Sequence, residues 1–150
     1  MKLYIFKETS ERFCSFTRFY YIRTQNKSGK MDNKFEISKL EKCSVMQILC
    51  EKLDTNIAPA IKSELVLLSG NGEKNIIIDL SNTRYCDSSG LSAILVANRL
   101  CKNSKGTFVL SGLQSAVERL ISISQLDTVL NITDNTEQAI EFINSKQIEN

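Results

Sequence analysis

The stretch NIIIDLSNTRYCDSSGL, residues 75–91, decides the fold of this chain. Ile76, Ile77 and Ile78 are apolar on consecutive positions rather than alternate ones, so a strand here is buried on both faces. A strand covered twice needs helices above and below its sheet, which makes the fold class α/β. The stretch ends in Asp87-Ser88-Ser89-Gly90-Leu91, which sets two hydroxyls and a carboxylate at the start of a helix. From Leu91 to Cys101 that helix is apolar apart from Ser92, Asn98 and Arg99. It is expected to be deeply packed, against the sheet and another helix at once.

Upstream, Phe35 to Ser38 and Val45 to Leu49 are short β-like runs split by the polar segment Lys39 to Ser44, the pattern of an edge hairpin. Asp54 or Thr55 can cap a helix whose Ile57, Ala58, Ile61, Leu65 and Leu68 recur at three- and four-residue steps. Pro59 falls in its first turn, where no backbone donor is needed, and Asn71-Gly72 ends it. Downstream, Gly106 and Thr107 lead into the strand Phe108-Val109-Leu110. Ser115 and Glu118 form an S-x-x-E capping box ahead of Leu120 and Ile121. Val129 to Ile132 reads as the last strand, and Thr136 caps a final helix carrying Ala139, Ile140 and Ile143. The order β-β-α-β-α-β-α-β-α predicts a single domain over residues 31–150, with a mixed sheet of four to five strands and about four helices.

With 19 basic and 17 acidic residues among 150, the formal net charge is +2, too small a field to argue for nucleic acid or a membrane surface. The charge is uneven, because residues 1–30 hold seven Lys or Arg against two acids. That segment alternates aromatic and basic residues without a sustained period and is read as a leader, disordered or not native, with Met31 as a candidate initiator. No apolar run approaches the ~20 residues that cross a bilayer, and the chain starts without a signal-peptide pattern, so a cytoplasmic location is expected. Cys14, Cys43, Cys50, Cys86 and Cys101 are odd in number and nowhere spaced C-x-x-C. They read as reduced thiols, mostly small core residues.

Histidine is absent, which removes Ser-His-Asp and Cys-His catalysis and histidine metal sites together. Cys86 and Ser88 remain as conceivable nucleophiles. A C-x5-R phosphatase loop would require arginine at position 92, which is Ser92, and no G-x-x-x-x-G-K-[ST] loop occurs. Asp79 lacks the acidic pair of a phosphoaspartate receiver. No catalytic residue, metal ligand or cofactor is assigned.

Either Asp87 or Ser88 is a good helix N-cap. Capping uses one residue and leaves the others at the positive end of the helix dipole, beside a permissive glycine. A phosphate on Ser88 would find free N–H groups there while adding about −1.5 to −2 charge next to Asp87, so the turn can hold the group and still repel an acidic partner.

The chain resembles the anti-sigma factor antagonists, whose fold is the STAS domain. The likeness covers about residues 33–143 and rests on Leu53-Asp54, Ile77-Ile78-Asp79-Leu80-Ser81, Tyr85-Cys86-Asp87-Ser88-Ser89-Gly90-Leu91 and Phe108-Val109-Leu110-Ser111-Gly112-Leu113. It departs at Cys86, where a larger apolar residue is common, and at Ser92, where a small apolar residue or glycine is frequent. The resemblance implies that Ser88 is phosphorylated by an anti-sigma factor that is itself a serine kinase. It implies that the unphosphorylated form binds that kinase and frees the sigma factor, and that a phosphoserine phosphatase resets the switch. Partner contacts would come from Asp87, Ser88, Ser89, Gly90 and Leu91, with Gly90 admitting the partner's backbone. The same resemblance leaves a second role open, a STAS subunit of a lipid-transporting ATPase complex that works without phosphorylation. Neither role involves nucleic acid, direct membrane insertion or catalysis by this chain.

Overall fold

Ile76, Ile77 and Ile78 form, with Asp79, the central strand of a five-stranded sheet, and each isoleucine is at most 1% exposed. The computed structural model describes residues 34–148; the leader lies outside the described residues. In chain order the elements are β1 (Phe35–Lys39), β2 (Ser44–Ile48), β3 (Lys52–Leu53), α1 (Ala58–Gly70), β4 (Ile76–Asp79), β5 (Tyr85–Cys86) and α2 (Ser88–Asn103). They continue with β6 (Phe108–Ser111), α3 (Ser115–Ile123), a 3-10 turn (Leu126–Thr128), β7 (Asn131–Thr133) and α4 (Thr136–Ile148). The sheet runs β1-β2-β4-β6-β7, with β1 antiparallel to β2 and every other pair parallel. This is the mixed α/β architecture that the apolar run in β4 requires.

Alternation along β4 divides the interior in two. Ile76 and Ile78 join the larger core with α1, α2 and α3, through Ile61, Leu65, Ile94, Ala97, Val117 and Ile121. Ile77 faces the other way and packs with Val45, Val109, Ala139 and Ile143 under α4. A buried Asn75 ties the strand entrances together: its Nδ2 donates to the Lys42 carbonyl (2.8 Å) and its Oδ1 accepts from the Thr107 amide (2.9 Å). One buried side chain thereby uses both its donor and its acceptor on the backbone of two different strand entrances.

Four local expectations need correction. Helix α1 starts at Ala58 with no side-chain cap; Asp54 instead accepts from the Asn56 amide (2.9 Å) in an Asx turn just before it. The Ser115-Glu118 capping box does not form, because α3 begins at Ser115 itself and Gln114 takes the cap position without a side-chain cap bond. Helix α4 is capped by Asn135 rather than Thr136, with Asn135 Oδ1 accepting from the Gln138 amide (2.9 Å). The last strand is Asn131–Thr133, since Val129 closes the 3-10 turn and is exposed. Helix α2 does pack on both the sheet and α1, but its cover is incomplete: Leu95 points to solvent.

Because Ile77 is fully buried in the α4-side core, Ile77→Ala should lower unfolding free energy in urea by about 2–5 kcal/mol. Val66→Ala, at an exposed position of α1, should stay within about 0.5 kcal/mol of the parent in the same titration.

Candidate functional site

The chain between β4 and α2 folds back over the segment that follows β2, and the backbone holds it there. Glu51 carbonyl oxygen accepts from the amides of Arg84 (2.8 Å) and Tyr85 (3.0 Å), and Leu53 carbonyl oxygen accepts from Asp87 (3.2 Å). Lys52 pairs with Tyr85 and Leu53 with Cys86, so β3 and β5 make a two-residue parallel ladder of their own. The buried Thr83 closes the base, donating its hydroxyl to the Cys50 carbonyl (3.1 Å). Neither short strand is predicted from sequence, because two residues carry no period. Thr83, a polar residue in a polar loop, gives no sign of its burial.

Asp87 is the N-cap of α2: its backbone is extended (φ −105°, ψ −176°) and its Oδ1 accepts from the Gly90 amide at 2.9 Å. Ser88 is therefore the first helical residue, and it is exposed. The amides of Ser88 and Ser89 stand in the first turn, where a helix supplies no acceptor of its own. Ser89 is half-buried, and Leu91 is half-buried against the large core. All five residues expected at the partner contact lie in one helical turn, but they do not share one face.

Gly90 is buried, and the room it makes is taken up inside the domain. A Cβ there would lie 2.7 Å from Cys86 Sγ and 2.8 Å from Leu53 Cγ, with the Leu53 carbonyl oxygen closer still. The helix can rest on β3 only because this position has no side chain.

Burial, and after it the charge of Asp87, pushes the Cys86 thiol up to about 12. Burial likewise raises Cys101 to about 12 and Cys43, with Glu73 adding to it, to about 11. These groups are thiols at neutral pH, and the thiolate is the nucleophile. Among the described residues, no three His, Cys, Asp or Glu side chains are grouped as metal ligands. A cleft of about 360 Å3 opens beside the start of α4, between Asp79, Ser81, Gly112 and residues 134–137. Its carboxylates, Asp79, Asp134 and Glu137, disfavour a phosphate there.

The thiol environments generate an ordering of reactivity. With iodoacetamide at pH 8 followed by peptide mass spectrometry, the half-buried Cys50 should be modified first among the four described cysteines. Cys43, Cys86 and Cys101 should react only as the pH approaches their raised values or when urea unfolds the chain. Asp87→Ala, which removes the cap of α2, should cost about 1 kcal/mol of stability by urea titration.

Comparison with known proteins agrees with this geometry. Residues 35–139 match the STAS domain family. The anti-sigma-B factor antagonist of Staphylococcus epidermidis is 28% identical over 87 residues, covering 57% of this chain and 80% of that protein. A Thermotoga maritima crystal structure assigned as an anti-sigma factor antagonist superposes with a TM-score of 0.66 at 25% identity, covering 73% of this chain and 94% of the other. The Bacillus cell fate determinant SpoIIAA in its phosphorylated form shares the fold, with a TM-score of 0.59 at 20% identity over 73% of this chain and 98% of its own. A match across most of the sheet and its helices, with the Asp-Ser-Ser-Gly turn at the start of α2, establishes that this chain belongs to the STAS domain family.

Proposed function

We propose that this protein is an anti-sigma factor antagonist, a cytoplasmic binding switch whose phosphoacceptor is Ser88. The observation that carries the reading is the exposure of Ser88 as the first residue of α2, on a turn pinned by backbone hydrogen bonds to Glu51 and Leu53. A kinase needs a hydroxyl it can reach, and a binding partner needs a turn whose shape is set before contact. The names of the similar staphylococcal and Thermotoga proteins support the same role.

In the unphosphorylated state the Ser88 turn binds an anti-sigma factor that is a serine kinase, which then lets go of its sigma factor. The kinase transfers the γ-phosphoryl group of ATP to Ser88 Oγ: the Oγ–P bond forms as the P–O bond to ADP breaks, and the hydroxyl proton passes to a base of the kinase. The new group carries about −1.5 to −2 charge and sits beside the Asp87 carboxylate. Amides of the first turn, free of intrahelical acceptors, stabilise it on this side. An acidic or closely fitted surface on the partner side pays desolvation and repulsion. A phosphoserine phosphatase restores the hydroxyl. The chain itself supplies a shape and the accepting oxygen of Ser88, and the kinase supplies the groups that activate it.

Each ~1.4 kcal/mol of repulsion is tenfold in affinity, so a few kcal/mol give a usable switch. Ser88→Ala should remain folded and bind the kinase irrespective of ATP, whereas Ser88→Glu should bind about a hundredfold more weakly in a calorimetric titration. Equal affinities for the two variants would overturn the reading. Incubation with kinase and ATP should add a single phosphate, located to Ser88 by peptide mass spectrometry.

A further inference from the structure

The core does not take every apolar residue that the Ser88 elements offer. Leu95 lies on α2 and is 39% exposed, and Tyr85, on β5, is 54% exposed. Seven residues separate Ser88 from Leu95, which is two helical turns less about 20°, so the two share one face of α2 about 10 Å apart along its axis. Ser92, half-buried, lies between them on that face, and Arg99, exposed, continues it. On the other side of Ser88, Tyr85 is three residues earlier, its amide bonded to the Glu51 carbonyl at 3.0 Å and its strand paired with β3. The Tyr85 side chain leaves the domain on the same outward side as the exposed Lys52, its partner in the ladder.

Single exposed apolar residues are ordinary on a protein surface. This pair differs in its placement. Both residues stand on backbone that is already fixed, one in a ladder and one in a sixteen-residue helix, so ordering them against a partner costs little conformational entropy. Both also flank the residue that is to be phosphorylated. Tyrosine is favoured where binding energy concentrates, since it combines a large rigid apolar face with a polar tip.

We propose that Tyr85 and Leu95 are the apolar anchors of the partner contact, one on each side of Ser88, so that affinity and its sensitivity to phosphate reside in different residues. The inference rests on the reading of Ser88 given above and adds the class of surface that fits it. The partner presents two apolar recesses flanking the position of the serine hydroxyl. The anchors hold the kinase in either state, and the hydroxyl decides how tightly. Such a division lets the kinase engage its substrate and still release the phosphorylated product.

The test is a calorimetric titration of the full chain with the purified serine-kinase anti-sigma factor of the same genome, using Y85A, L95A and the double variant, each with and without Ser88→Glu. Circular dichroism melting should leave Y85A and L95A near the parent, because both side chains are exposed. Each should weaken binding about tenfold, and Y85F should retain parental affinity because the ring is kept. The ratio between the Ser88 and Ser88→Glu forms should be the same in every background. Parental affinity in Y85A and L95A, with Ser88→Glu still weakening binding, overturns the anchors and leaves the switch standing. Loss in both variants with no effect of Ser88→Glu retains the anchors and removes the switch. Light scattering supplies a further arm: a parental dimer that Y85A or L95A converts to monomer would make these two residues a contact between two copies, and the proposal would fall.

Discussion

The placement of Ser88 depends on the approach of α2 to the backbone of Leu53. At that point the Leu53 carbonyl oxygen accepts from the Asp87 amide and Gly90 leaves the space that a Cβ would fill. A helix start can come this near another strand only if its third residue has no side chain. The consequence is geometric. With the turn's inner side closed against β3, the cap residue Asp87 faces its own helix and Ser88 is left outside.

Cys86 belongs to the same constraint. Its sulfur occupies the space next to Gly90, and its burial leaves a protonated thiol under the turn. A small, polarisable side chain fills this tight corner. The reactive-looking residues of the stretch are thus divided by packing: the sulfur is inside and inert, and the hydroxyl is outside. Similar proteins of this fold bear the names of regulators.

The two faces of the sheet carry unequal loads. Among the described residues, three helices cover the side on which α2 lies, and α4 alone covers the other. Asp79, at the end of β4, is held by the Ser81 amide at 2.9 Å and lines the acidic cleft by the start of α4. The loop that leaves this strand end runs through Ser81 and Thr83 to Ser88, and it is fastened at several backbone points along the way. A loop so fastened offers a partner a preset surface rather than one that must be ordered on contact.

Much of this was legible in the residues alone. Consecutive isoleucines in β4 demand cover on both sides, three- and four-residue steps mark the helices, and Asp87-Ser88-Ser89-Gly90 marks a helix start with a spare hydroxyl. These are local signals, carried by residues within a turn or two of one another. Caps were less legible: Asn135, Gln114 and Ile57 each stand near a plausible alternative, and the choice depends on how the incoming chain is directed by its neighbours. The outward position of Leu95 and the β3-β5 ladder were decided only by tertiary structure. Which side of an apolar helix stays bare depends on where α1 and the sheet end, and a two-residue ladder exists only when segments about thirty residues apart are brought together by the rest of the fold.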